Sequence, residues 1–414
     1  MEVQGCSAPP VTFSTLCETI ELLEEWYVDR PIDYANLALI ATTAASEYET
    51  DESEDPPRTF FCAIPDEAFA SLCDLLRERV QDEHLPVAGA VEEAVTRMID
   101  LGLDPFTWYV PPELADGFRA DGVVGGVGIL LDATDAAGSK CTRVAAVCPL
   151  RIVFVLEDNP GAEAGLEPGD VITAIDGESV IDKGLVDVAT LIGGDETGTV
   201  VLGVERAGAT QEITVERQEL DLPETSVDVP LDNVGYLRIP DFSFQVPFIV
   251  NASIGALVAA SPQTIVIDLR DNPGGYADAL VSVASQFIAE GTVLNYEFPG
   301  GSSTYEVSGG APATEPRLIV LVNEGTASAA EVLAGALRDL RGATIIGQPT
   351  YGKNALQIPF ELRNGGEFHV AIARWTTPSG QSVADSGLIP DRIVDFPAGA
   401  DTEQLTRFAI ENSQ

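Results

Sequence analysis

Lysine is nearly absent from this sequence. Its 414 residues include 22 lysines and arginines together against 66 aspartates and glutamates, and the only lysines are Lys140, Lys183 and Lys353. The formal net charge is −44 at pH 7. Such an acidic surface repels nucleic acid and anionic lipid, which excludes both as partners. Because salt screens self-repulsion, the composition favours adaptation to a salty medium; an ordinary acidic soluble protein is the alternative.

Histidine and long apolar runs are also scarce. The two histidines, His84 and His369, lie in a polar helix end and a strand, and no CxxC motif occurs. A zinc site and a Ser–His–Asp triad are therefore not credible, and no metal or organic cofactor is expected. No apolar run reaches about 18 residues, so no membrane span is predicted. The N-terminus shows no basic and apolar signal-peptide pattern.

The six cysteines fall into three local pairs. Their even number and close spacing favour disulfides formed in an oxidising, extracytoplasmic compartment, with six buried free thiols as the alternative. The expected pairs are Cys6–Cys17, Cys62–Cys73 and Cys141–Cys148. Gly5-Cys6 is weakly similar to a lipoprotein cleavage site, which makes a periplasmic or secreted, lipid-anchored protein one version of this prediction.

The spacing of apolar residues divides the chain into regions with different predicted secondary structure. Residues 1–118 read as helical, with helices over 14–29, 33–49 and 66–102 and with Ser14 or Thr15 capping the first. Residues 119–220 read as a β-domain with short turns. Residues 225–398 alternate apolar strands with helices, which is typical of an α/β layer on a parallel sheet, and 399–414 form a C-terminal helix. The predicted class is a multidomain α+β protein.

Lys353 stands out because the chain avoids lysine elsewhere. It lies in TYGKNALQIPF, where its neighbours are largely apolar. A lysine that loses hydration in such a pocket has a lowered pKa, and its neutral amine can act as a general base, which arginine cannot do. The competing interpretation is a surface lysine whose stem covers apolar neighbours.

Ser328 lies in VNEGTASAAEVLAGAL, where an apolar strand is followed by a helix predicted to begin near Ala327. Small neighbours leave room for a substrate. Backbone N–H groups at a helix start favour developing negative charge, which suits a nucleophile whose attack creates an oxyanion. The alternative role for Ser328 is that of a helix cap.

DLRDNPGG places two glycines at the end of another predicted strand. The N–H groups of Gly274 and Gly275 would face the carboxyl end of the sheet, where ligands collect in open α/β folds. Together with the N–H of Ala329 they could form an oxyanion hole; a tight turn that needs positive φ is the alternative. All three motifs follow strands of one predicted sheet, so together they predict an acyl-transfer site.

These motifs resemble those of a known family nearly end to end. The matching segments are LEEWYVD, LDPFTWYVPPE, GGVGI, PGAEAGLEPGDVITAIDG, IDLRDNPGG, GTASAAE, YGKNALQ and TPSGQSV with GLIPD. They are similar to the C-terminal processing peptidases, the tail-specific, tricorn-related Ser–Lys family with a PDZ domain and a crotonase/ClpP-like core. Two departures occur: Phe106 and Thr107 stand where the family has His-Ser, and Asn354 follows the lysine where the family has glycine.

The resemblance implies roles for individual residues. It makes Ser328 the nucleophile, Lys353 the base and Gln357 a residue that positions the lysine. In the PDZ-like segment, the loop of Gly125, Gly126, Val127 and Gly128 would bind a terminal carboxylate, and the strand from Ile129 would pair with a peptide. Apolar side chains of the helix 183–192 would shape its pocket. The segment 132–148 is longer than the family's usual hairpin, and a Cys141–Cys148 bridge could pin it.

The predicted function is therefore a serine endopeptidase that cleaves polypeptides near a free C-terminus. A catalytically silent or latent relative that binds peptides or ligands is the alternative. The resemblance also implies a homodimer, through the N-terminal helices and the segment after Pro397, and a regulatory or adaptor protein as a further partner.

Overall fold

The computed structural model describes residues 11–50, 66–82, 84–112, 115, 125–136, 140–156, 159–193, 198–219, 224–243, 245–384, 386–397 and 399–413. Its α-helices are, in chain order, α1 (Val11–Trp26), α2 (Tyr34–Glu47), α3 (Ala70–Asp82), α4 (Val87–Gly102), α5 (Pro160–Glu163), α6 (Leu185–Gly193), α7 (Val246–Ala259), α8 (Ala277–Ala284), α9 (Ala329–Arg341) and α10 (Thr402–Asn412), with a 3₁₀ turn at Glu67–Phe69. None of these described helices is long and apolar enough to cross a bilayer.

The strands follow the same order. They are β1 (Trp108–Val110), β2 (Gly125–Gly126), β3 (Ile129–Ala133), β4 (Leu150–Val155), β5 (Val171–Ile175), β6 (Glu178–Ser179), β7 (Gly198–Arg206), β8 (Ala209–Glu219), β9 (Ser226–Leu231), β10 (Val234–Arg238), β11 (Thr264–Asp268), β12 (Thr292–Phe298), β13 (Gly301–Glu306), β14 (Arg317–Val322), β15 (Thr344–Gly347), β16 (Ala355–Glu361), β17 (Glu367–Thr376) and β18 (Arg392–Ile393). The described strands form three sheets.

Helices α1 to α4 pack into one apolar cluster. In α4 the buried residues recur every three or four positions, so they form one stripe along the helix: Val87, Ala90, Val91, Ala94, Val95, Met98 and Ile99. The same cluster includes Phe368 and Val370 of β17, which joins the helical region to the rest of the fold. The predicted cap of α1 is wrong: the helix starts at Val11, and Ser14 and Thr15 lie buried within it.

The second region is an antiparallel β-domain. Its strands run in the order β2-β8-β7-β5-β4-β3, with β6 beside β5. Buried residues alternate along strands such as β7, where Val200, Leu202 and Val204 face the core. Strand β3 ends the order, so its outer edge is not paired with another described strand.

A six-stranded sheet forms the third region, in the order β18-β15-β14-β11-β10-β9, and only β9 runs antiparallel to its neighbour. Both faces are covered. On β14, Leu318, Val320 and Val322 pack under α7, α8 and α9, while Ile319 and Leu321 face the cluster that includes α10. This arrangement confirms the predicted parallel α/β layer and explains why its strands are almost wholly apolar.

A further antiparallel sheet connects the parts. Its order is β1-β17-β12-β13, with β16 beside β17. Strand β17 contributes Phe368 to the helical cluster and Trp375 to the core of the parallel sheet. Because β16 begins at Ala355, two residues after Lys353, this sheet fixes one end of the lysine loop.

Disulfides occur among the described cysteines. Cys141 and Cys148 are bonded to each other, which confirms the third predicted pair. Cys17 and Cys73 are also disulfide-bonded, while their predicted partners Cys6 and Cys62 lie outside the described residues. The free-thiol alternative is therefore wrong for these four described cysteines.

Salt is expected to stabilise this fold. At a net charge of −44, raising NaCl from about 0.05 M to about 1 M shortens the Debye length to about 3 Å and removes most self-repulsion, so the melting temperature should rise by several degrees. Thermal unfolding followed by circular dichroism measures this, with KCl at equal ionic strength as the control. A melting temperature that is unchanged or lower in both salts would contradict the screening argument.

Candidate active site

The three predicted motifs lie at one edge of the parallel sheet. Strands β11, β14 and β15 are neighbours, with Asp268 opposite Leu321 and Val322 opposite Gly347. Their carboxyl ends lead into loops that carry Gly274 and Gly275, Ser328, and Lys353, respectively. Hydrogen bonds join the first two loops: Ala327 N–H donates to Asn272 O (2.8 Å) and Thr326 Oγ1 to Leu269 O (2.8 Å). The sheet therefore brings these loops together, as its predicted topology requires.

Ser328 has a strained backbone. Its φ is 52° and its ψ is −119°, a conformation that non-glycine residues rarely adopt. Helix α9 begins at the next residue, Ala329, two positions later than the predicted start near Ala327. Ser328 is half-buried, and its neighbours Ala327 and Ala329 are almost fully covered. The serine thus lies on a sharp strand-to-helix turn that is tightly packed from both sides.

The two glycines differ in what their N–H groups can do. Gly274 N–H donates to Asn272 Oδ1 (2.8 Å), so the prediction that it offers a free donor is wrong. A Cβ on Gly274 would lie 2.8 Å from Ser328 Cβ, which shows how closely this turn approaches the serine. Gly275 has φ 139°, and its N–H takes no part in the described turn hydrogen bonds. Gly275 and Ala329 therefore remain as candidate oxyanion donors.

A buried carboxylate, missed by the sequence analysis, joins the serine and lysine loops. Glu331 is fully buried. Its Oε2 accepts hydrogen bonds from Ser328 N–H (2.8 Å) and Lys353 N–H (2.9 Å). Its Oε1 accepts from Gly352 N–H (2.8 Å) and Thr350 Oγ1 (2.5 Å). Burial raises the pKa of Glu331, and the four donors act in the opposite direction. An acidic residue three positions after the serine, in an otherwise small and apolar helix start, was the available signal.

Lys353 donates its backbone N–H to the same Glu331 oxygen that binds Ser328 N–H. Burial lowers the pKa of its amine, and the charge of Glu331 partly opposes that effect. Its carbonyl accepts a hydrogen bond from Trp375 Nε1 (3.0 Å), which fixes the backbone. Gly352 needs its small size, because a Cβ there would lie 2.9 Å from Val383 O at φ 87°. No hydrogen bond joins Ser328 Oγ to Lys353 Nζ among the described contacts.

The side-chain amide of Gln357 binds the connection that precedes β1. Its Nε2 donates to the carbonyl of Phe106, and the described hydrogen bonds include none from Gln357 to Lys353. The segment with Phe106 and Thr107 is itself held by Asp104, which accepts from Phe106 N–H (2.9 Å) and Thr107 Oγ1 (2.7 Å). Gln357 therefore ties the lysine strand β16 to the connection before β1.

His369 also lies near this site, but it has its own partners. Its ring stacks on Trp108 with centroids 3.6 Å apart, and its Nε2 lies 3.1 Å from Glu367 Oε2. Burial lowers the pKa of the imidazole, and the charge of Lys353 adds to this effect. His369 is thus a packed residue of β17, in agreement with the weak sequence context noted above.

The PDZ-like loop is closely packed from one side. Val127 O accepts from Gly161 N–H (2.7 Å), and Gly128 has φ 73°, where a Cβ would lie 2.8 Å from Asn159 Cβ. Strand β3 follows with Ile129 and presents the unpaired outer edge noted above. Helix α6 (Leu185–Gly193) packs near β3, close to the predicted range 183–192. The arrangement offers a glycine-rich loop, a strand edge and a helix.

Comparisons with known proteins agree with this geometry. Residues 233–394 match peptidase family S41, and residues 151–206 match a PDZ domain. The carboxyl-terminal-processing protease of Synechocystis sp. is 32% identical over 331 residues, covering 78% of this chain and 75% of the relative. The chloroplastic carboxyl-terminal-processing peptidase 2 of Arabidopsis thaliana is 31% identical over 312 residues, covering 72% and 59%.

A solved structure extends the likeness to three dimensions. The photosystem II D1 C-terminal processing protease superposes with a TM-score of 0.67 at 26% identity, covering 92% of this chain and 98% of that one. Since the Synechocystis relative is similar over most of its length, the chain belongs to peptidase family S41, among the carboxyl-terminal-processing serine proteases.

Proposed function

We propose that this protein is a Ser–Lys endopeptidase that cleaves polypeptides near a C-terminus held by its PDZ domain. Ser328 is the nucleophile and Lys353 the general base. The observation that carries the assignment is the Glu331 carboxylate, whose Oε2 binds the backbone N–H groups of both residues. No other buried carboxylate in the described part of the chain bonds to both loops.

The mechanism follows from the surroundings of each residue. Burial lowers the pKa of the Lys353 amine, and its neutral form takes the proton of Ser328 as the serine oxygen attacks the scissile carbonyl. The N–H groups of Ala329 and Gly275 stabilise the oxyanion, and one such donor typically contributes about 3–4 kcal/mol in the transition state. Protonated Lys353 then gives its proton to the leaving amine. Neutral Lys353 then takes a proton from the water that attacks the resulting ester, and it passes that proton to Ser328 Oγ as the new carboxyl end is released. This scheme needs no metal or organic cofactor.

Tail capture is assigned to the PDZ domain. An extended peptide can add to the outer edge of β3, while the N–H groups of the Gly125–Gly128 loop bind its carboxylate. The edge position of β3 and the closely packed glycine loop support this role. We take residues 119–220 as this domain, 1–118 as a helical region, 225–398 as the peptidase core and 399–414 as a C-terminal helix. The disulfides support action in an oxidising, extracytoplasmic compartment.

A matched pair of substrates tests this function. An unfolded protein with an apolar C-terminal tail is incubated in about 1 M NaCl, and the same protein with a C-terminal amide serves as the control. We expect cleavage near the tail, and a KM roughly tenfold higher for the amide because the loop loses a charged ligand. Equal KM values would contradict carboxylate capture. A protein that binds the tail but does not cleave it would support the ligand-binding alternative.

A further inference from the structure

A disulfide-closed hairpin contacts all three regions of the molecule. This disulfide hairpin comprises residues 140–148 and is closed by the Cys141–Cys148 bond. Backbone hydrogen bonds hold it to the PDZ domain: Cys141 N–H donates to Ala133 O (2.8 Å), Val144 N–H to Lys183 O (3.0 Å) and Asp182 N–H to Val144 O (2.8 Å). The hairpin is therefore a fixed part of that domain.

The same hairpin is attached to the helical region. Arg143 Nη1 lies 2.7 Å from Asp100 Oδ2 at the end of α4, and the two side chains are only 9% and 11% exposed. Thr142 Oγ1 donates to the Asp100 carbonyl. A covered ion pair with an added hydrogen bond restrains the two segments that it joins more than an exposed pair does. The position of the hairpin relative to α4 is thus set.

Lys140, at the start of the disulfide hairpin, contacts the peptidase core. Its Nζ lies 3.0 Å from Asp132 Oδ2 and 3.3 Å from the centroid of the Tyr351 ring. Tyr351 is half-buried, and its N–H donates to Thr326 O (2.9 Å) in the serine loop. Burial raises the pKa of its phenol, and the charges of Asp132 and Glu331 act in the same direction. Tyr351 therefore lies between the PDZ domain and the Glu331 carboxylate.

Tyr351 lies in the loop that binds the Glu331 carboxylate. The residues beside it, Thr350 and Gly352, both donate to Glu331, and Lys353 follows directly. A cation over the face of a partly covered ring restrains that ring. Two of the three lysines in this sequence therefore meet at the loop 350–353. Lys353 belongs to the loop, and Lys140 packs against its Tyr351 ring.

We propose that Lys140 is a positioning residue for Lys353. Held by the disulfide hairpin and by Asp132, its ammonium packs on Tyr351 and keeps the loop 350–353 in the geometry that places the Lys353 amine. The inference rests on the proposed role of Lys353 as the base. Lys140 itself does not contact the substrate, so its loss should affect turnover and leave tail binding unchanged.

Kinetics of matched lysine variants test the proposal. Lys140→Ala is expected to lower kcat roughly tenfold, with KM and tail-peptide Kd within about twofold of wild type. Lys140→Arg should recover most of the loss, because a guanidinium also packs on a ring and pairs with a carboxylate. Lys183→Ala is the control, since Lys183 pairs only loosely with Glu178 (3.6 Å). An unchanged kcat in Lys140→Ala would overturn the proposal.

Hydrogen exchange tests the contact without relying on activity. On a Ser328→Ala background, the Gly352 and Lys353 amides should exchange roughly tenfold faster when Lys140 is also replaced by alanine. When Lys183 is replaced instead, they should exchange at the rate of the Ser328→Ala parent. Unchanged exchange overturns the positioning role. A wild-type protein without Ser328-dependent cleavage would instead overturn the proposed function, and exchange would still decide the contact. If Lys140→Ala does not fold, Asp132→Asn, which removes the carboxylate charge that holds the same ammonium, is measured in the same way.

Discussion

Replacing Lys353 by arginine is expected to abolish cleavage, with kcat/KM falling by roughly 10³-fold or more while the protein stays folded. Arginine keeps the charge and a similar stem, but its guanidinium cannot lose a proton near neutral pH. Ser328→Ala should have an equal effect, because it removes the attacking oxygen. Ser302→Ala, an exposed serine on β13, is the matched control and should cleave at the wild-type rate. Circular dichroism checks the fold of each variant.

The pH dependence gives this prediction its sharper form. Burial lowers the Lys353 pKa below the ordinary lysine value of about 10.4, and only the neutral amine can accept a proton. The rate should therefore rise with pH and level off as the amine becomes neutral, at a pH below the ordinary lysine value. A profile that rises only above pH ~10 would mean a solvated lysine and would exclude Lys353 as the base. A full rate in Lys353→Arg would exclude it independently.

Much of the site could be predicted because it depends on strand order. Apolar runs on both faces identify β11, β14 and β15 as buried parallel strands, and parallel strands bring their carboxyl ends to one edge. Any polar residue that follows such a strand is then placed at that edge. That the loops of Ser328, Gly275 and Lys353 share one edge follows from the parallel sheet, whereas the adjacency of the three strands is seen only in the structure.

What could not be predicted depends on which backbone groups are already bonded. Gly274 and Gly275 look equivalent in the sequence, yet the Asn272 side chain takes the N–H of one and leaves the other. The resemblance gives Gln357 a role in positioning the lysine, but no sequence pattern indicates that its amide binds the carbonyl of Phe106 in a distant part of the chain. Such choices arise from side-chain packing between distant segments, and periodicity carries no information about them.

The contact of Lys140 with Tyr351 is another feature that could not be predicted from the sequence. Its two residues come from different regions, and the hairpin that carries Lys140 is held by Arg143 against α4. The sequence predicted the Cys141–Cys148 bond from its short spacing. Which surface the closed hairpin meets follows only from the assembled fold.

Glu331→Gln is expected to lower kcat/KM about 100-fold and to destabilise the protein by about 3 kcal/mol. The carboxylate accepts two hydrogen bonds on each oxygen, and all four donors are fixed in place by the serine and lysine loops. An amide has only one acceptor oxygen, so its NH₂ group must face either the Ser328 and Lys353 N–H groups or the Thr350 hydroxyl and the Gly352 N–H. Either choice leaves buried donors unpaired, and a main-chain N–H such as that of Gly352 cannot rotate away.

The residual activity of Glu331→Gln separates a specific role from a general loss of stability. The negative charge of Glu331 raises the Lys353 pKa, so its removal should lower that pKa further and move the rise of the pH–rate profile to lower pH. Mere loosening of the fold would reduce the rate at every pH without such a shift. Glu324→Gln, which changes an exposed acid in the loop between β14 and α9, is the control and should change neither rate nor profile. A Glu331→Gln enzyme with wild-type kcat/KM would show that the carboxylate does not hold the two loops in their reactive arrangement, because every other contact named here would remain.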